Sequence, residues 1–157
     1  MAGLIANDYL SGRRFPVTAA VRNVGVALKL ANTGKVTIVD DSTNVVDFFS
    51  KTTSDNKIGT TIYNRDVATA NTEDIACAPL TRGMVYNLYL SATNAAIEIG
   101  DEITVQHGAA GRVDKKTSGA GTGTFVIGKA LQAKDALDGA KTDGTEYIKV
   151  LIGTRVV

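Results

Sequence analysis

Short runs in which β-branched and apolar residues alternate with polar ones, broken every few residues by glycine, constrain this chain most. Met84-Val-Tyr86-Asn-Leu88-Tyr-Leu90 puts Met84, Tyr86, Leu88 and Leu90 on one face. Val24-Gly-Val26-Ala-Leu28-Lys-Leu30 does the same for its even positions. Period two over four to eight residues is the signature of a half-buried strand. Asn32-Thr33-Gly34 is a turn sequence, so Val24–Leu30 and Lys35–Asp40 read as a hairpin. Further strands are expected at Ile58–Tyr63, Glu102–Gln106, Arg112–Asp114, Thr124–Leu131 and Tyr147–Ile152, with Asp143-Gly144 as another hairpin turn. Gly100-Asp101 is expected to turn Ile97–Ile99 back onto Glu102–Gln106.

Some stretches stay open. Val45–Phe49 fits a strand or one helical turn, and residues 67–80 fit neither pattern well. Gln132–Gly139 is alanine-rich and reads as a short helical segment or a strand end. Gly128, inside a strand pattern, marks a bulge or a close backbone approach, and Ala130 and Ala133 are small enough to pack under a neighbouring strand. Ser50–Lys57 is a polar surface loop, and Lys115–Gly123 a glycine-rich tip. No internal repeat stands out. Eight to ten short strands with turns at this spacing, and no long amphipathic helix between them, predict a mainly β fold. The expected architecture is a small β-barrel or β-sandwich with a short helical segment and an extended N-terminal arm.

The chain has 157 residues, a length that suits one domain, or one domain with an arm. Residues 1–16 differ from the rest and end in Ser11-Gly12-Arg13-Arg14-Phe15-Pro16, where Gly12 and Pro16 break regular structure. The expected division is an arm over 1–16 and a β-rich body over 17–157, with 17–80 as a possible subdomain. The N-terminus has no basic stretch ahead of its apolar residues, and Asn7 and Asp8 interrupt them, so no secretory signal is expected. With the initiator Met1 this points to synthesis in a cytoplasm. No run of 18 apolar residues is present, and no membrane span is expected.

Side chains that carry chemistry are scarce. There is one cysteine, one histidine and no tryptophan. A single Cys77 precludes an intramolecular disulfide and a cysteine-built zinc site. Its apolar neighbours in Ile75-Ala-Cys77-Ala-Pro79 predict a buried small hydrophobe rather than a nucleophile. His107 sits in a turn-like segment, with no local carboxylate or nucleophile to make it a general base. Asp40-Asp41 and Glu98, Asp101 and Glu102 are paired acids without the spacing of a calcium loop. Gly119-Ala-Gly121-Thr-Gly123 lacks the Gly-Lys-Ser/Thr ending of a phosphate loop. A net charge of +1 argues against a general nucleic-acid binder. The expectation is no catalytic residue, no metal site, no cofactor, no direct contact with nucleic acid and no enzyme activity.

One order of signals in the second half is distinctive. Ile97-Glu-Ile-Gly100-Asp101-Glu-Ile103-Thr-Val105 is followed by Phe125-Val-Ile127-Gly128-Lys-Ala130-Leu131-Gln-Ala133, and then by Tyr147-Ile-Lys-Val150-Leu-Ile152. Residues 84–153 thereby resemble the small capsid decoration, or cement, proteins of tailed phages, including the lambda-type head decoration family. Residues 17–80 match only in their β-rich, Thr/Ala/Gly-rich character. The resemblance implies a β-tulip-like barrel and a homotrimer seated at local threefold axes on the outer surface of an icosahedral head. There it would bind the major capsid protein and hold the shell against the pressure of packaged DNA. It also implies an arm that orders on the capsid. Leu4, Ile5, Tyr9, Leu10 and Phe15 would be its apolar anchors, with Arg13 and Arg14 as charge contacts.

Two other classes compete. A tail, tail-tube or baseplate component would also be β-rich and oligomeric. A carbohydrate-binding sandwich would usually stack sugars on exposed Trp or Tyr, and the chain has no tryptophan.

Overall fold

In the computed structural model the described residues are 13–54, 74–92, 94–117, 122–136 and 147–157. Their strands are β1 (Arg14–Pro16), β2 (Ala27–Leu30), β3 (Val36–Ile38), β4 (Phe48–Ser50), β5 (Asp74–Pro79), β6 (Val85–Tyr89), β7 (Glu102–Val105), β8 (Val113–Lys115), β9 (Phe125–Ala130) and β10 (Tyr147–Val156). They form two five-stranded antiparallel sheets, ordered β1-β5-β4-β2-β3 and β6-β10-β9-β7-β8. The fold is mainly β. The second sheet curls into a half-barrel, and its outer strands meet where Leu90 bridges Val113.

The β2–β3 hairpin forms as its turn sequence requires, with Leu28 opposite Ile38 and Ala31 N donating to Lys35 O at 2.8 Å. Strand β2 is shorter than its alternation predicts. Gly25 has φ +76°, which breaks the strand and leaves Val24 42% exposed. Among the described residues no helix is present. The expected helical segment is extended over Gln132–Ala136, because Lys134 and Ile97 exchange both backbone hydrogen bonds, at 2.8 and 2.9 Å. So short a stretch does not overcome the unfavourable first helical turn. Ala133 is exposed while Ala130 is buried. Ile97 therefore pairs with Lys134 rather than across the Gly100-Asp101 turn. The expected strand at Ile58–Tyr63 and the turn at Asp143-Gly144 lie outside the described residues.

The two sheets repeat one another. Numbered within each half, both have the order 1-5-4-2-3. The registers match pair by pair. Phe15 faces Ile75 as Leu88 faces Ile148. Leu28 faces Phe48 as Ile103 faces Gly128, and Ser50 faces Cys77 as Ala130 faces Val150. The parallel bridge from Val17 to Val36 has its counterpart in Leu90 to Val113. Single hydrogen bonds repeat as well. Thr18 N donates to Val36 O at 3.0 Å, and Ser91 N to Val113 O at 2.8 Å. Gly25 N donates to Ser50 O and Gly100 N to Ala130 O, both at 2.8 Å. Gly25 and Gly100 both hold positive φ, as do the turn glycines Gly34 and Gly111. The expectation of no internal repeat is thus corrected: strands β1–β5 and β6–β10 are two copies of one unit.

Equivalent positions fill equivalent cores. Val17, Val21, Leu28, Val36, Ile75 and Cys77 are buried in the first unit. Leu90, Ile97, Ile103, Val113, Ile148 and Val150 are buried in the second. The units join through the outer face of the first. Ala27, Val39, Val46 and Phe49 pack into the core of the second unit, and Tyr89 of the second joins the core of the first. Phe49 meets Tyr86 at 5.8 Å between ring centroids. Backbone bonds cross the junction from Tyr89 N to Gly25 O and from Ala27 N to Gly111 O, both 3.0 Å.

Gly128 is a close backbone approach, as its place in the strand pattern predicts. A Cβ there would lie 2.0 Å from Leu151 O, whereas one on Gly153 in the facing strand would meet nothing within 4 Å. Gly128→Ala is therefore expected to lose at least ~2 kcal/mol in urea unfolding. Gly153→Ala should stay within about 0.5 kcal/mol of the parent.

Candidate functional site

Three features bear on function: the root of the N-terminal arm, the charged groove of the second unit, and the isolated Cys77, His107 and Asp114. The arm root is the edge strand β1. Arg14, Phe15 and Pro16 belong to the sheet, paired with Ala76, Ile75 and Asp74, so the body begins inside the stretch expected as arm. Proline is tolerated there because an edge position needs no donor on its outer side. The Phe15 ring packs on Phe48 at 4.9 Å, and the Arg13 guanidinium lies over it at 5.5 Å. Arg14 Nη2 donates to Asp74 O at 2.7 Å. Phe15 thus serves this chain's own core, while Arg13 and Arg14 are exposed. Leu4, Ile5, Tyr9 and Leu10 lie outside the described residues.

The second unit carries a mixed-charge groove. Lys115 Nζ lies 2.7 Å from Asp101 and Lys116 Nζ lies 3.9 Å from Glu102, which also pairs with Arg155. The hydrogen bond from Lys115 holds the Asp101 carboxyl below the usual range and raises Lys115 in turn. The charges of the groove nearly balance, and Glu102 Oε2 is buried without a hydrogen-bond partner among the described residues. Val126, Gly128, Leu151 and Ile152 floor the adjoining depression.

The isolated groups are accounted for by structure. Cys77 is fully buried, and burial pushes its thiol up to about 11. It fills the position that Val150 fills in the second unit, so it is a core side chain. Asp114 is 6% exposed, burial raises its carboxyl, and it accepts from the backbone N–H groups of Lys115 and Ala95. It ties β8 to the loop at Ala95. His107 is highly exposed and pairs with Asp41 of the first unit at 3.5 Å. Such a surface pair adds little to stability. The Thr43 backbone N–H, ahead of His107, is what lowers Asp41. Among the described residues no group of three or more His, Cys, Asp or Glu comes together. The sequence reading did not single out Ile99, Leu131 and Leu151, which are exposed apolar residues of the second unit. The signal for them was the likeness of Val24-Gly-Val-Ala-Leu28-Lys-Leu30 to Ile99-Gly-Asp-Glu-Ile103-Thr-Val105.

Among known proteins, no family model matches the chain and no curated protein matches it.

The buried thiol gives a direct check. At about pH 8 a thiol reagent should modify Cys77 far more slowly in the native protein than in urea. Because the folded thiol titrates higher than the unfolded one, its contribution to stability should disappear as pH climbs from 9.0 to about 11.

Proposed function

We propose that this chain is a capsid decoration protein that binds the outer surface of an icosahedral phage head and stabilises it against internal DNA pressure. It acts as a homotrimer at local threefold axes, and its partner is the major capsid protein. The observation that carries the reading is the placement of the residues behind the resemblance. Ile97–Val105, Phe125–Ala133 and Tyr147–Ile152 come together around the neighbouring strands β7, β9 and β10 of one curled sheet. They are structural elements of a single unit rather than scattered matches.

The physical character of the surface supports the same reading. The charge is near neutral and Lys115 and Lys116 pair with Asp101 and Glu102, which suits contact with protein more than with DNA. Strand β1 is a sheet edge, so residues preceding Arg13 attach at a rim. An arm leaving such a rim can add a strand to a capsid sheet, with backbone bonds for affinity and alternate side chains for register. In a trimer, weak arm contacts reinforce one another.

Co-sedimentation with heads stripped of their decoration protein tests this. The full chain should pellet with heads and raise their resistance to heat-induced DNA release. A variant lacking residues 2–12, which leaves β1 intact, should keep its unfolding midpoint and bind roughly tenfold more weakly or worse. Undiminished binding by that variant would remove the arm from the account. No binding by the full chain would remove the decoration role.

A further inference from the structure

The geometry points to a second copy of this chain as the occupant of an exposed face on the second unit, docked head to tail as the second unit docks on the first. The junction inside the chain supplies the template. On the first unit, Val24, Gly25, Phe49, Lys51 and Ala78 line the junction cavity, facing Val85, Tyr86 and Asn87 of the second. There the chain comes so close that a Cβ on Gly25 would lie 2.5 Å from Asn87 O.

By the register equivalence, the same face of the second unit presents Ile99, Gly100, Lys129, Leu131 and Leu151. Among the described residues nothing covers it. Ile99 is 69% exposed, Leu131 40% and Leu151 38%. Gly100 keeps the positive φ of Gly25, but a Cβ there would meet nothing within 4 Å. The slot for a close backbone approach is therefore present and open. Two of its positions are more apolar than their counterparts: Leu131 stands for Lys51 and Leu151 for Ala78. Solvent alone gives no reason to place exposed leucines there.

The complement lies at the other end of the molecule. The counterpart of Asn87 and Leu88, which receive the first unit, is Arg14 and Phe15 in β1. Arg13 and Arg14 are exposed there, and the receiving face carries Glu98 beside Ile99 as well as Lys129, so its charge is mixed and the fit rests on the shape of the template. The contact differs from its template in polarity. Lys129 replaces Phe49 and Glu102 replaces Ala27, and Pro16 has no N–H to repeat the bond from Tyr89 to Gly25. The contact is therefore more polar than the junction it copies. Because the two faces differ, the contact is heterologous, and a heterologous contact closes into a ring when its rotation allows. Three copies would set six equivalent units around one axis. That number rests on the decoration reading, whereas the contact does not.

The test is the mass of the purified full chain by analytical ultracentrifugation. The parent should form a discrete oligomer. Ile99→Arg/Leu151→Lys, which alters only exposed side chains of the receiving face, should be monomeric with an unchanged circular dichroism spectrum. Arg14→Glu, on the opposite end, should be monomeric as well. Mixed at high concentration, the two variants should form a dimer and nothing larger, because one intact receiving face then meets one intact β1. A monomeric parent, an oligomer indifferent to these substitutions, or a mixture that stays monomeric would each overturn the proposal. Binding to heads is measured separately, so loss of the decoration reading and loss of this contact are distinguishable.

Discussion

The structure depends on one backbone contact, where Gly25 lies against strand β6. Tyr89 donates to Gly25 O at 3.0 Å, and the space a side chain would need is taken by the backbone of Asn87, Leu88 and Tyr89. Only glycine combines the positive φ of this turn with so close an approach. The contact draws Phe49, Ala27 and Val39 out of the first unit and into the core of the second. A first sheet built largely of short strands thereby buries its outer face. Without that burial, three-residue strands such as β1, β3 and β4 would have little apolar area to hold them.

The two units keep their interiors alike and their exteriors different. Inside, Leu28 and Ile103, and Ile75 and Ile148, match in volume, Val17 and Leu90 differ by one methylene, and all six are equally buried. Outside, Phe49 is fully buried at the junction and its counterpart Lys129 is exposed. Burial fixes the first set because a core tolerates little change in volume. The second set is free to follow whatever each outer face meets: the other unit for one, and solvent or another chain for the other.

Local signals in the sequence were legible and long-range ones were not. Asn32-Thr33-Gly34 specified its hairpin, because turn chemistry acts over four residues. Gly128 announced a close approach, because glycine in a strand has few other uses. The buried character of Cys77 followed from its neighbours. The repeat is hidden in the sequence because the units share only widely spaced residues, such as Gly25 and Gly100, Val36 and Val113, and Ile75 and Ile148. Loops of unequal length displace these pairs relative to one another. The membership of Arg14–Pro16 in a sheet was equally hidden, since its partner β5 lies some sixty residues away and Phe15 finds Phe48 only in the folded chain. The alanine-rich stretch after Leu131 looked helical because propensity is local, whereas the bridge to Ile97 that holds it extended is not.

Paired glycine substitutions at equivalent sites test the central claim, that one unit is used twice and joined through Gly25. Gly25→Ala and Gly100→Ala should be compared by equilibrium urea unfolding at a dilution where the chain is monomeric. Both force alanine into a left-handed backbone, which costs about 1–2 kcal/mol. Gly25→Ala should lose at least ~2 kcal/mol more, because its Cβ meets the backbone of β6 and that of Gly100 meets nothing. Equal losses at the two sites would contradict the account.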